Sequence, residues 1–403
     1  MKSVFDRKEN CCGCAACKQV CPTQSITMQE DKYGYIYPVI DEKKCVDCAI
    51  CIKVCPLNNV VKTCIPHISW AYVSPNDECR MKSASSGAFE ALCKAFLQEK
   101  DEYSVYGCEL DDRLQAKHCS INDIKEIDRM KKSKYIQSRI DNEYASVLTD
   151  LKEGKKVVFS GTPCQTGALK NYLKNDFENL LTIDFVCHGV PSQKIFSKYI
   201  HYLQKRYRGK VESYTFRNKR KVKQNWSNLG VRVDFVNGKR IELEAEEDLY
   251  MTGFLSGLFN RESCYMCKFA GLNRNSDITI GDFWGIEKAY PHLTELKTSG
   301  TSLVIGNTEK GLDVIQMLDP SALYSTELND AVRENGQLKH PQKKSLRRDI
   351  FLKELSKNKK FDTCMKRAFP EKYGFRKEKI YQMKFYIMLS SIKQRILKVF
   401  KRI

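Results

Sequence analysis

The sequence predicts a chain of mixed α+β and α/β class in three parts: a small cysteine-rich head, a larger mixed α/β body and a helical basic tail. Three observations lead there. Two matching four-cysteine runs fall within the first 62 residues. From about residue 65 to 335 buried apolar runs alternate with helical patterns, as in an α/β domain. Residues 343–403 carry 20 Lys/Arg against 5 Asp/Glu, so most of the formal net charge of +19 belongs to the tail and says little about the body. The divisions expected are 1–62, 65–150, 151–335 and 336–403. A chain of 403 residues can bury two or three cores, and 42% hydrophobic content excludes disordered and fibrous classes.

Met1 to Asn10 is charged throughout and has no apolar segment, so no secretory leader is expected. No stretch approaches the roughly 18 consecutive apolar residues of a spanning helix. A cytoplasmic location follows as the expectation. In a reducing compartment, 19 cysteines point to metal ligation or redox chemistry rather than disulfides.

In the head, Cys11, Cys14, Cys17 and Cys21 precede Pro22, and Cys45, Cys48, Cys51 and Cys55 precede Pro56. This is the bacterial two-cluster ferredoxin spacing, in which the fourth cysteine of each run ligates the other run's cluster. Cys11, Cys14, Cys17 and Cys55 are therefore expected to hold one 4Fe–4S cluster, and Cys45, Cys48, Cys51 and Cys21 the second. Zinc also uses paired cysteines, but four ligands per ion give no reason for two identical runs that each end in Pro. Cys12 reads as a spare buried thiol. Clusters of this kind carry single electrons, so the head is a conductor and does not name a substrate.

In the body, Val157 to Ser160 reads as a buried strand, Gly161 to Gln165 as a turn, and Thr166 to Leu173 as a helix. Leu180 to Val186 reads as the next strand, followed by Cys187 to Pro191 and a helix through Tyr207. A right-handed β-α-β-α unit puts both turns at the carboxyl edge of the sheet, where ligands bind. Cys164 and Cys187 are expected to face that crevice. With Cys264 and Cys267 they would form a third four-thiolate site, for a 4Fe–4S cluster or for structural zinc; a redox-active thiol or inert cysteines are the remaining alternatives.

Several separate segments resemble the beta subunits of coenzyme F-420-reducing hydrogenases and dehydrogenases. They are Ser83 to Phe89 (SASSGAF), Ser133 to Ser138 (SKYIQS), Phe159 to Gln165 (FSGTPCQ), Cys187 to Pro191 (CHGVP), Phe216 to Lys219 (FRNK) with Trp226, and Asp277 to Gly285 (DITIGDFWG). The resemblance covers about residues 70 to 310. It implies a flavin-binding body that carries FAD and a 4Fe–4S cluster on Cys164, Cys187, Cys264 and Cys267. It places Ser85, Ser86, Gly87 and Ala88 against the flavin, where small residues admit backbone N–H groups. An ordinary Ser-capped helix start is the alternative for that segment.

Ser133, Lys134, Tyr135 and Gln137 match a second cofactor-contacting segment, and Thr162 is counted with them. Lys134 is assigned a catalytic part, stabilising a reduced flavin anion; the alternative is a solvated basic loop. His188, next to a proposed ligand, is the second catalytic candidate, against a His that satisfies local backbone; His118 is the other body histidine of note. Asp282 either orients a ligand loop or stabilises a turn. The chain departs from the family at Ser86, where a Gly-Gly pair is usual.

From Lys379 to Ile403 there is no acidic residue, and Phe385, Leu389, Ile392, Ile396, Val399 and Ile403 recur at helical spacing. This suits peripheral contact with an anionic membrane at its inner face, or a terminal helix docked on the body. No nucleic-acid partner is expected, because no recognition module accompanies the charge. The function expected is an FAD- and iron–sulfur-dependent oxidoreductase. Its partners would be ferredoxin or another redox protein and a small-molecule hydride donor or acceptor. That small molecule would be the deazaflavin F-420 or a specialised metabolite such as a surface-polysaccharide intermediate. The alternatives are a non-catalytic electron-transfer subunit and an iron–sulfur sensor.

Overall fold

Both cysteine runs fold the same way in the computed structural model, which describes residues 3–59, 62–66, 68–98, 102–222, 225–293 and 300–373, without the side chains of 220–229. In each run an alanine between the second and third cysteines adopts the left-handed conformation, Ala15 at φ 62° and Ala49 at φ 58°. Each starts a one-turn helix, Ala16–Gln19 and Ile50–Lys53. A non-glycine residue pays about 1–2 kcal/mol in this region, and it recurs at the same step of both runs. The turn it makes brings the three thiols of a run round to one side. An antiparallel hairpin, β1 (Ile26–Glu30) and β2 (Ile36–Ile40), joins the halves.

The chain divides into two compact units, Met1–Lys344 and Ser345–Ile403. In the first, the body is built on an eight-stranded mixed sheet. Its strands are β3 (Ile68–Tyr72), β4 (Tyr103–Leu110), β5 (Ala116–Ile121), β6 (Lys156–Gly161), β7 (Leu180–Phe185), β11 (Ile278–Asp282), β12 (Ser302–Gly306) and β13 (Leu323–Glu327). Their order is β13-β3-β12-β11-β7-β6-β4-β5. The centre, β4-β6-β7-β11, is parallel; β5 on one side and β12, β3 and β13 on the other add antiparallel pairings. Val157, Val158 and Phe159 of β6 and Leu181 and Ile183 of β7 are completely buried, the near-continuous apolar run that a strand covered on both faces requires. A second sheet is a meander of β8 (Val211–Val222), β9 (Asn225–Phe235) and β10 (Arg240–Leu243).

The helix after β6 spans Pro163–Leu173, three residues earlier than the expected start at Thr166. The physical reason lies in the segment read as a turn: Thr162 and Gln165 form a reciprocal capping box, and Pro163 occupies the first helical position. The next helix, Gln193–Tyr207, begins under the Ser192 hydroxyl, which accepts from the Ile195 N–H at 3.3 Å.

The head shares its core with the body. Cys17, Cys51, Val54 and Leu57 belong to one apolar cluster with Tyr144, Val147, Phe159, Leu169 and Phe269. Polar ties cross the same junction: Tyr35 Oη donates to the Phe259 carbonyl at 2.6 Å, and Lys268 Nζ to the Leu57 carbonyl at 2.8 Å.

In the second unit, Arg348–Ser356 and Phe361–Ala368 pack through Phe351 and Phe361, and Pro370–Tyr373 follows. The basic amphipathic segment Lys379–Ile403 and the Trp226 side chain lie outside the described residues. No helix among the described residues is long and apolar enough to cross a membrane.

Candidate functional site

Cys11, Cys14 and Cys17 line one pocket together with Cys55 from the second run. Cys45, Cys48 and Cys51 line another together with Cys21 from the first. The grouping by exchanged fourth cysteines is thus how the chain arranges them. Burial and the neighbouring thiols of Cys11 and Cys55 push the Cys17 thiol well up. Burial raises Cys51 too, with Cys48 and Cys21 adding to it. Among the described residues no three His, Cys, Asp or Glu side chains converge tightly enough for a single metal ion. Four thiols spread around a cavity suit a multi-iron cluster, whose thiolates bind separate irons.

The four body cysteines also come together. Cys164 stands in the first turn of Pro163–Leu173, with the Thr162 hydroxyl 3.1 Å from its sulfur. Cys187 follows β7 and accepts from the Gly189 N–H at 3.4 Å. Gly189 lies at φ +96°, and a Cβ there would meet the Asn260 amide at 2.7 Å and Cys264 Cβ at 3.0 Å, so this loop and the C-x2-C segment touch. Burial and the proximity of Cys264, Cys164 and Cys267 hold Cys187 well above the ordinary thiol range. For the same reasons Cys264 is pushed up to about 12 and Cys267 to about 11. A group of crowded, buried thiols resists ionisation until a metal takes the place of the protons.

Between the two sets lies Cys12, whose buried thiol is close to Cys14 on one side and to Cys164 on the other. The residue expected to be a spare thiol is buried at the seam between the head's first set and the body's set.

Residues of four other motifs meet elsewhere in the body. Gly87, at φ +95°, starts the helix Ala88–Phe96 without a side-chain cap, so the segment is not a Ser-capped helix start. A Cβ at Gly87 would lie 2.7 Å from Cys79 Sγ. Ser86 donates its N–H to Ser302 Oγ at 2.9 Å, while the hydroxyls of Ser85 and Ser86 are buried with no hydrogen-bond partner among the described residues. Arg217, 3% exposed, forms a two-pronged pair with Asp282 at 2.8 and 3.1 Å and donates to the Tyr135 hydroxyl at 3.2 Å. Lys219 donates to the carbonyls of Arg80 and Ser85, and burial pulls its ammonium down to about 8. The sequence marks the FRNK motif but does not single out Arg217 or Lys219 within it as site residues. Asp282 ends β11 as the partner of a buried arginine and is no mere turn residue.

Other expected contacts are distributed differently. Lys134 donates to the carbonyls of Arg129, Met130 and Lys131 at 3.1, 2.9 and 2.6 Å, closing the end of a 3-10 turn. Burial lowers it to about 8. Lys131 is 5% exposed at its side chain and pairs with Glu90 and Asp128, so this is not a solvated basic loop. Gln137 turns to the head and donates to the carbonyls of Cys12 and Gly13 at 3.1 and 3.3 Å. Tyr135 stacks on Phe254 at 4.5 Å between ring centroids. Ala88 is buried in the apolar cluster of Leu92 and Cys93, Ser133 is half-buried, and Thr162 sits at the body thiols. The His188 ring is buried, which lowers its pKa, and its carbonyl accepts from the Asn260 amide at 2.9 Å. His118 is buried behind β6, 3.0 Å from the Ser160 carbonyl.

Two thiol sets around cavities in a ferredoxin-like head and a third set in a mixed α/β body define an iron–sulfur electron-transfer protein. Residues 10–59 match the 4Fe–4S dicluster domain family. Residues 154–331 match the family model for the C terminus of the coenzyme F-420 hydrogenase/dehydrogenase beta subunit. The chain is similar to that beta-subunit family over those residues, with a 4Fe–4S dicluster match ahead of them. Among solved structures, it is similar to a chain of the xenon-derivatised F-420-reducing NiFe hydrogenase complex of Methanosarcina barkeri. The identity is 17% and the TM-score 0.42, over 76% of this chain and 91% of that one. No curated protein matches the sequence.

Proposed function

We propose that this chain is an iron–sulfur flavoprotein oxidoreductase that carries electrons between its head and a two-electron donor or acceptor at the body. Cys11, Cys14, Cys17 and Cys55 would hold one 4Fe–4S cluster, Cys21, Cys45, Cys48 and Cys51 a second, and Cys164, Cys187, Cys264 and Cys267 a third. An FAD would bind at Ser85, Ser86, Gly87 and Ala88, with Tyr135 beside it. When bound, the clusters supply one-electron transfer and the flavin couples it to a two-electron exchange. The two buried hydroxyls without partners suit a polar ligand edge, since a buried polar group left unpaired costs about 1–3 kcal/mol. Lys219 would set a positive charge at that edge, and the Arg217–Asp282 pair would keep the GDFWG segment in place. The donor or acceptor would be coenzyme F-420 or a specialised metabolite of the surface-polysaccharide type. Ferredoxin or a similar protein would serve the head.

The observation that carries this reading is the place of the buried Cys12 thiol, close to both Cys14 and Cys164, because it makes the head's first set and the body's set immediate neighbours. A subunit that only relays electrons to a larger complex is the second reading, favoured by the matched family being that of a beta subunit. Iron and flavin per chain, measured after anaerobic purification and cluster reconstitution, separate the two. About twelve irons and one FAD support the flavoenzyme. Full iron without flavin leaves the relay subunit, and about eight irons sink the third cluster.

A further inference from the structure

Arg261 is a completely buried guanidinium on the chain segment that leads into Cys264. Its Nε donates to the Cys11 carbonyl at 2.7 Å and its Nη2 to Cys11 Sγ at 3.4 Å and to the Ile36 carbonyl at 2.8 Å. Its Nη1 donates to Gln137 Oε1 at 3.1 Å, and the cation lies 4.2 Å from the centre of the Tyr37 ring. Gln137 in turn donates to the carbonyls of Cys12 and Gly13. The fit is tight: Gly13, at φ +68°, could not carry a Cβ without meeting Gln137 at 2.5 Å and Arg261 at 2.8 Å. No carboxylate among the described residues pairs with Arg261. A buried cation with only carbonyls, an amide, a ring and one sulfur around it lacks its counter-charge, and such a charge is expensive to bury. The one anion its surroundings can offer is at the sulfur.

We propose that Arg261 is a positioning residue that sets the reduction potential of the cluster held by Cys11, Cys14, Cys17 and Cys55. This rests on the reading that those four residues hold a cluster. A charge-assisted hydrogen bond to a ligand sulfur stabilises the more negative, reduced form more than the oxidised one, and so raises the potential. The guanidinium faces Cys11 but not Cys21, Cys45, Cys48 or Cys51, so the effect is selective within the head. An electron entering from the outer cluster is thereby held at the seam next to Cys12 and Cys164. Only the resting place of one electron changes; no bond forms or breaks.

The test is an EPR-monitored redox titration of the full-length reconstituted protein. In Arg261→Gln the midpoint of the cluster on Cys11 is expected to fall furthest while that of the outer head cluster stays in place; Arg261→Lys, which keeps the charge, recovers most of the shift. In wild-type protein labelled with 15N-arginine, pulsed EPR of the reduced state is expected to find a nitrogen coupling that Arg261→Lys abolishes. Wild-type iron content with all midpoints unmoved in Arg261→Gln overturns the proposal, and so does a labelled wild type without the coupling. The wild-type measurement decides even if Arg261→Gln fails to hold its clusters. Absence of any head cluster from the wild type would instead refute the ligand reading beneath it.

Discussion

Arg274 and Asp184 form the most deeply buried ion pair described, 2.6 Å apart with side chains 2% and 0% exposed. The arginine also donates to Thr279 Oγ1 and to the carbonyls of Phe269, Gly271 and Phe185. Asp184 lies three residues before Cys187, and Phe269 and Gly271 follow Cys267 closely, so this one side chain ties the two loops that bear the body thiols. Replacing it by Met leaves Asp184 buried and uncompensated, a loss of about 3–5 kcal/mol. At roughly 2 °C per kcal/mol for a large domain, the metal-free protein should melt about 6–10 °C lower. Using metal-free protein keeps cluster binding out of the comparison.

After reconstitution, iron should drop from about twelve to about eight per chain, because only the body site loses its support. The double variant Arg274→Met with Asp184→Leu removes the stranded charge. It should regain most of the melting temperature, as apolar replacements of buried pairs do. Its iron content should stay low, because the carbonyl contacts to the loop are still missing. A single variant with wild-type iron, or a double variant that recovers iron along with stability, would refute the idea that Arg274 positions the body thiols.

Burial holds His118 at about 4 in the folded chain, below its ordinary 6.5. Its stabilising share is complete above pH 6.5 and disappears as pH falls towards 4, up to about 3 kcal/mol; urea melts of His118→Gln should flatten that acid limb. Lys219, held at about 8, loses its charge as pH rises through that value. Fluorescence titration should therefore find FAD affinity declining between pH 7 and 9. Lys219→Met should give a weaker, level profile, and a persisting slope would count against Lys219. Cys55→Ser should remove or alter the EPR signal of the first run's cluster, and Cys21→Ser that of the second. If each change affects its own run instead, the exchanged fourth ligand is wrong.

The parts of the chain that are legible in the sequence are those whose signal is local. Fixed spacing groups the eight head cysteines, and apolar runs locate β6 and β7. The helix start at Pro163 is legible too, in Thr162, Pro163 and Gln165, but Gly161 and Pro163 argue more loudly for a turn. Arg261 leaves no such trace. Its partners Gln137 and Cys11 are 124 and 250 residues away, and nothing in the local run distinguishes it from a surface arginine. Lys134 is the opposite case. The SKYIQS match suggests a cofactor contact, and the fold adds three carbonyls at the end of a 3-10 turn to which the ammonium donates. A motif gives the residue type at a position; which neighbour receives its charge is settled by the fold around it.

That distinction bears on how the head works. A cysteine-rich segment of about 60 residues buries too little surface to stand as a well-packed domain without its metal. Here Cys51, Val54 and Leu57 are covered by Phe159, Leu169 and Phe269 of the body. The sheet of the body therefore supplies part of the head's core, and the head cannot swing as a detachable carrier without exposing that shared surface. With the head fixed, the order of the thiol sets is fixed as well. Cys48 is exposed, with Val46 beside it 64% exposed, so the second set faces solvent. The first set is buried and reaches the body set through Cys12. On the proposed function, a partner protein would exchange electrons at the Cys48 rim, and Cys164 and Cys187, on the carboxyl edge of β6 and β7, would stand at the other end of the route.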